Sequence, residues 1–160
     1  MKKTKLYLDT SVPSFLFADD SLEKREVTLQ FWDILKLGLY DILISDILLT
    51  EISRSEIPSP QELEDKLSEI VLEVVSVNED VFSLAQKYID EGIIPQTYRD
   101  DALHIALATY NEADALISWN FKHMVKLKTI RGVNGINRML GLKELEILTP
   151  QSWIQEDNNE

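Results

Sequence analysis

Hydrophobic and polar positions along this chain switch repeatedly between a period of two and a period near 3.6. Residues 5–8 alternate as a strand does, in the stretch "KLYLDTSVPSFLF", and run straight into Asp9, Thr10 and Ser11. After the turn-prone "TSVPS", Val27, Phe31, Ile34 and Leu35 space a helix over 21–37, with Ser21 as its N-cap. "YDILIS" (40–45) predicts a second strand, and "DILLTEISRS" (46–55) a helix that ends before "IPSP". "SPQELEDKLSEI" opens a charged helix, and the β-branched "VLEVVSV" (71–77) predicts a third strand. Asn78 caps the next helix, which closes on Gly92.

The segment 98–113 is apolar almost all round after an acidic start, which places that helix deep against the sheet. "DALISWN" (114–120) predicts a fourth strand, 132–141 a short helix and 145–150 a last strand. Alternating strands and helices imply an α/β three-layer sandwich, with a central, mainly parallel sheet of four to five strands. Residues 1–150 are expected to form one domain, and 151–160 a partly disordered tail.

Composition narrows the classes. A chain of 160 residues, 44% of them hydrophobic, suits a single core. The absence of Cys excludes disulfides and thiolate metal sites. Neither a secretory h-region nor an apolar run of roughly 20 residues occurs, so a cytoplasmic protein with no membrane partner is expected. A net charge of −12 argues at first against nucleic acid. Its distribution reverses that reading: from Ala115 to Lys143 there is no Asp or Glu, while six lysines and arginines fall inside. A basic segment within an acidic chain is a candidate phosphate-contacting surface.

Open parallel sheets bind ligands beyond the carboxyl ends of their strands. Asp9 and Asn120 each follow a predicted strand directly, Glu51 lies early in the helix after the second strand, and Asp101 opens the apolar helix. Four oxygen-bearing side chains from distant parts of the sequence thus reach one rim. Hard oxygen donors suit Mg²⁺ or Mn²⁺ over zinc, and clustered carboxylates repel one another unless a cation neutralises them.

The blocks "LYLDTSVPSFLF", "ISDILLTEI", "DDALHIALA" and "ALISWNFKHM" resemble, in order and spacing, the signature blocks of PIN-domain ribonucleases. In size the chain is most similar to the VapC-type toxins of bacterial toxin–antitoxin pairs. The resemblance implies a PIN-like fold and a metal-dependent endoribonuclease. Asp9, Glu51, Asp101 and Asn120 would be catalytic, and Asp9, Glu51 and Asp101 would hold Mg²⁺ or Mn²⁺. Asp101 is preferred to Asp100 because small and apolar residues follow it. Asn120 stands where many members carry a further aspartate, a departure that weakens any second metal position.

The resemblance also implies an RNA substrate, a small antitoxin laid across the acidic cleft, and a homodimer. Thr10, Ser11, Lys122, His123 and Lys126 are the candidate substrate contacts, with the hydroxyls as alternative supports for Asp9. His104 is expected to make a structural hydrogen bond to a nearby carboxylate, and His123 to meet solvent or RNA. Phe15, Phe17, Phe31 and Trp32 are assigned to packing. A non-catalytic PIN-fold RNA- or partner-binding protein is the main alternative. An aspartyl-phosphate phosphatase lacks its second Asp, since that position is Ser11, and a receiver-like signalling domain lacks a Lys after the last strand.

Overall fold

The structure is a computed structural model that describes residues 2–158. Five strands, β1 (Lys5–Leu8), β2 (Asp41–Ser45), β3 (Leu72–Val75), β4 (Ala115–Ile117) and β5 (Glu146–Leu148), form one sheet in the order β3-β2-β1-β4-β5. Every pairing is parallel, with Leu6 opposite Ile42 on one side and Ala115 on the other. Parallel neighbours need crossovers, and helices supply them. They are α1 (Ser11–Phe15), α2 (Leu22–Leu35), α3 (Asp46–Ser53), α4 (Pro60–Leu67), α5 (Glu79–Asp90), α6 (Arg99–Tyr110), α7 (Leu127–Met139) and α8 (Pro150–Asn158).

Strand periodicity sorts the core into two layers. Leu6, Leu8, Ile42, Ile44 and Ile117 point to the face covered by α1–α4, where Phe31, Trp32, Leu48 and Ile52 meet them. Tyr7, Leu43, Leu116 and Ile147 point to the opposite face, packed by α5, α6 and α7. Successive strand residues face opposite sides, so both faces must be apolar and the strands read as near-continuous hydrophobic runs. The expected three-layer α/β sandwich is therefore observed.

Four local readings need correction. The segment read as a turn after Ser11 is the short helix α1, and Pro13 fits its first turn because no backbone N–H is needed there. Helix α7 begins at Leu127, not 132, since Ile130, Val133 and Ile136 already share its inner face. The strand expected to run to residue 150 ends at Leu148. Residues 150–158, expected to belong mostly to a frayed tail, form α8. Thr149 Oγ1 accepts from the Ser152 N–H (3.0 Å), Pro150 occupies the first helical position, and Trp153 and Ile154 pack on the core. The rest of that expected tail, 159–160, lies outside the described residues.

Candidate active site

The chain leaves β1 toward β2 on one side, and returns to β4 on the other, so the sheet changes winding direction between β1 and β4. Such a switch point opens a crevice at the carboxyl edge. Leu8 and Ile117 are register partners, which sets Asp9 beside Ser118. Ser118 Oγ donates to Asp9 Oδ2 (2.6 Å); Ser11 donates to Oδ1 from both its Oγ (2.5 Å) and its backbone N–H (3.1 Å). Asp9 is only 3% exposed. Burial pushes its carboxyl above the usual range; the nearby His104 and the serine donors only partly oppose that.

His104, buried in the middle of α6, is the second centre. Its Nε2 lies 2.7 Å from Glu51 Oε1, and its Nδ1 2.6 Å from the Tyr7 hydroxyl. Thr10 Oγ1 donates to the same Glu51 oxygen at 2.7 Å. Burial lowers the affinity of His104 for a proton, yet the hydrogen bond to Glu51 and the charges of Asp9, Glu51 and Asp101 outweigh it and hold the imidazole above its ordinary range. Glu51 answers in the opposite sense: desolvation would raise it, but His104 and Thr10 bring it below the usual carboxylate value. A carboxylate only accepts, so Nε2 carries the proton in this pair.

Asp101 forms the third centre. His123 Nδ1 lies 3.0 Å from Asp101 Oδ2, while the His123 backbone N–H donates to Asn120 Oδ1 (3.0 Å). Asn120 also hydrogen-bonds Asp101 through its side chain. With its oxygen engaged by His123, the amide N–H₂ is the group that faces Asp101, an assignment the hydrogen-bond network makes. An aspartate at this position could not donate that bond. Burial raises the Asp101 carboxyl, opposed by His123, His104 and Asn120.

The residues singled out from the sequence fall into two hydrogen-bonded sets: Asp9 through Ser118 to the Asn120 backbone N–H and Asn120 to Asp101, and separately Thr10 to Glu51 and His104. The charge of His104 is felt by Asp9 and Asp101. Ser11 orients Asp9; Lys122 and Lys126 are exposed beside the site. His123 departs from expectation. It is 7% exposed, its ring lies 3.9 Å from that of Tyr98, and its work is to hold Asp101. Asp101 is the acid that meets His123 and Asn120, while Asp100 lines a small cavity of about 210 Å³ with Asp46, Thr50, Glu51 and Arg54.

Sequence reasoning missed Ser118, Tyr7 and Asp46. Asp46 Oδ1 is buried without a hydrogen-bond partner. The signal for Ser118 was present: a hydroxyl at the end of a strand otherwise made of apolar residues.

For a divalent cation, the donor chemistry fits: carboxylates gathered at a buried rim, with one orphaned carboxylate oxygen beside them. Among the described residues, however, no three histidine, aspartate or glutamate side chains are grouped closely enough to hold an ion between them. The residues present are a chemically suitable set of ligands, each held by hydrogen bonds.

No protein-family model matches the sequence, and no curated protein does. Sixteen chains of solved structures match in fold. One belongs to VapBC2 from Rickettsia felis bound to a DNA fragment from their promoter. It is 15% identical, with a TM-score of 0.53 over 91% of this chain and 98% of that one. At that identity the likeness concerns the fold alone, the parallel α/β arrangement described above.

Proposed function

We propose that this protein is a metal-dependent endoribonuclease, the toxin of a toxin–antitoxin pair. The observation that carries the reading is the set of carboxylates at the sheet's switch point, with Asp9 buried and Glu51 and Asp101 half-buried. Among the described residues, Asp9, Glu51 and Asp101 are held by hydroxyls, an amide and two histidines, and none forms an ion pair with lysine or arginine. Buried carboxylates are costly to keep, and ordinary structural need does not collect several at one crevice.

Asp9, Glu51 and Asp101 are the ligands for Mg²⁺ or Mn²⁺. Such an ion supplies a lowered pKa for an attacking water and neutralises charge on the phosphate. The chain's own residues do the rest. Ser11 and Ser118 fix the plane of the Asp9 carboxylate, Thr10 and His104 fix Glu51, and Asn120 and His123 fix Asp101. Exposed Lys122 and Lys126 grip the RNA backbone and set its position without reading sequence.

An antitoxin partner has a suitable surface. Leu49, Ile52, Pro58, Leu63 and Leu67 line an apolar groove of about 510 Å³ between α3 and α4. Because α3 also carries Glu51, an apolar helix seated there could extend an arginine to the carboxylates, and a guanidinium pairs with carboxylates bidentately. The neighbour's crystal contains a toxin–antitoxin assembly, which supports this partner class by fold analogy alone.

Cleavage of a mixed RNA pool with Mg²⁺, compared between the wild type and Asp9→Asn, tests the reading; equal rates would remove it. Asn120, which stands where many PIN-domain ribonucleases carry an aspartate, favours one other reading, a non-catalytic PIN-fold RNA- or partner-binding protein. Calorimetric titration separates the two, because an inert fold takes up neither Mg²⁺ nor Mn²⁺.

A further inference from the structure

Two exposed aromatic rings adjoin the acidic site, one toward each helical layer. Phe121, 50% exposed, directly follows Asn120. Its ring leans on Trp119 at 6.3 Å between centroids, and Trp119 in turn leans on Phe15 at 6.0 Å. Trp119 is a rigid floor: its indole N–H donates to Thr28 Oγ1 (2.9 Å), and its backbone N–H donates to Ser11 Oγ (2.8 Å), the hydroxyl that holds Asp9. Lys24 of α2 sets its ammonium 5.3 Å from the centroids of Phe15 and Phe121. On the α6 side, Tyr98 is 40% exposed. Its ring rests on His123, the residue bonded to Asp101, and Lys122 Nζ lies 5.3 Å from its centroid.

Each ring therefore has an aromatic neighbour that backs it, substantial exposure to water and a lysine ammonium over it. That combination suits single-stranded nucleic acid, whose bases stack on aromatic faces while phosphates meet cations. We infer that Phe121 and Tyr98 are base-stacking platforms, which seat unpaired nucleobases on either side of the phosphodiester at the carboxylates. Lys24 and Lys122 contact the adjoining phosphates. The inference rests on the nuclease reading only for the word phosphodiester; binding of unpaired bases stands without cleavage.

The test is binding of a short fluorescent oligouridylate in EDTA, so that cleavage plays no part, to wild type, Phe121→Ala, Tyr98→Ala and Phe121→Trp. Each alanine variant should bind roughly fivefold to a hundredfold more weakly, and Phe121→Trp should bind like wild type. Abasic nucleotides in the probe should weaken wild type and leave the double alanine variant indifferent. The alanine variants should keep the slope of affinity against salt, whereas Lys24→Gln and Lys122→Gln should flatten it. Wild-type affinity in both alanine variants, equal loss on the abasic probe for all proteins, or no binding by wild type overturns the inference. Base-dependent binding with no cleavage in Mg²⁺ upholds it and removes the nuclease reading alone. Cleavage that is unchanged in KM and kcat by both alanine substitutions removes the inference alone.

Discussion

The two edges of the sheet treat the same residue type in opposite ways. At the amino edge, Asp114 takes the Lys5 backbone N–H at 2.8 Å and pairs with Lys143, while Arg138 pairs with Glu144 and the Tyr40 hydroxyl donates to Asp157. Desolvation is the largest single influence there, but the hydrogen bonds from Lys143 and the Lys5 backbone and the charges of Lys143 and Lys2 together outweigh it, and the Asp114 carboxyl falls below its ordinary range. At the carboxyl edge, burial dominates and raises both Asp9 and Asp101. A cavity of about 1060 Å³ lies at the amino edge, against about 210 Å³ for the one that Glu51 lines. Size points the wrong way here. Charges at the amino edge are cancelled in local pairs with lysine and arginine, whereas at the carboxyl edge only Glu51 has such relief, from His104, and Asp9 and Asp101 keep raised carboxyls.

Removing an acid from each edge should break this comparison most sharply. Asp9→Asn and Asp101→Asn are each expected to lower RNA cleavage by at least about a hundredfold, measured as initial rate in Mg²⁺. Asp9→Asn should at the same time melt no lower than wild type at neutral pH. A carboxyl whose folded pKa is raised binds its proton more tightly when folded, so stability falls as pH rises through the unfolded and then the folded value. Above that window the amide escapes the penalty of burying a charge. A melting curve with loss of both activity and stability would mean that Asp9 is structural.

The His104 pair comes next. His104→Gln leaves Glu51 and the Tyr7 hydroxyl poorly satisfied, and should cost roughly 1–3 kcal/mol in chemical denaturation. Its pH dependence has two limbs. The raised His104 contributes stability that is complete below the unfolded imidazole value and is lost as pH rises through the folded one. The lowered Glu51 contributes stability present above the unfolded carboxylate value and lost as pH falls through the folded one. Melting temperature against pH should therefore flatten in His104→Gln between those limits. Ser118→Ala, a smaller change, should weaken metal affinity or activity by roughly tenfold to a hundredfold, since it frees one Asp9 oxygen from its orienting donor.

How much of this was legible follows from what a pattern can carry. Strand ends can be read because buried parallel strands are apolar runs that close on polar residues. Asp9 and Asn120 were found that way, the latter by reading the fourth strand on to residue 120, past Ser118. Glu51 and Asp101 followed from counting turns in the next helix. Ser118 and Tyr7 were hidden because a serine and a tyrosine inside a strand read as ordinary core positions, and only the β1–β4 register sets Ser118 against Asp9. His123 was misplaced for a related reason: a histidine between two lysines looks exposed, and its burial depends on Tyr98, distant in sequence. Helix α8 was masked by a polar ending, although Thr149 and Pro150 spell a helix start. Interactions between segments, not those within one, separate the read from the unread.

The smallest predicted effect is at the amino edge, and it completes the contrast. Asp114 and Lys143 are both partly exposed, so water and salt screen their attraction. Lys143→Met should cost at most about 1 kcal/mol, less in high salt. Its pH signature runs opposite to that of Asp9. A lowered carboxyl contributes stability above its unfolded value and loses it as pH falls through the folded one, so wild type and Lys143→Met should converge in melting temperature only in acid. RNA cleavage should be unchanged, because this pair lies at the opposite end of the strands from Asp9 and Asn120. A cleavage defect in Lys143→Met would show that the amino edge takes part in substrate contact, and that its paired charges are not merely structural.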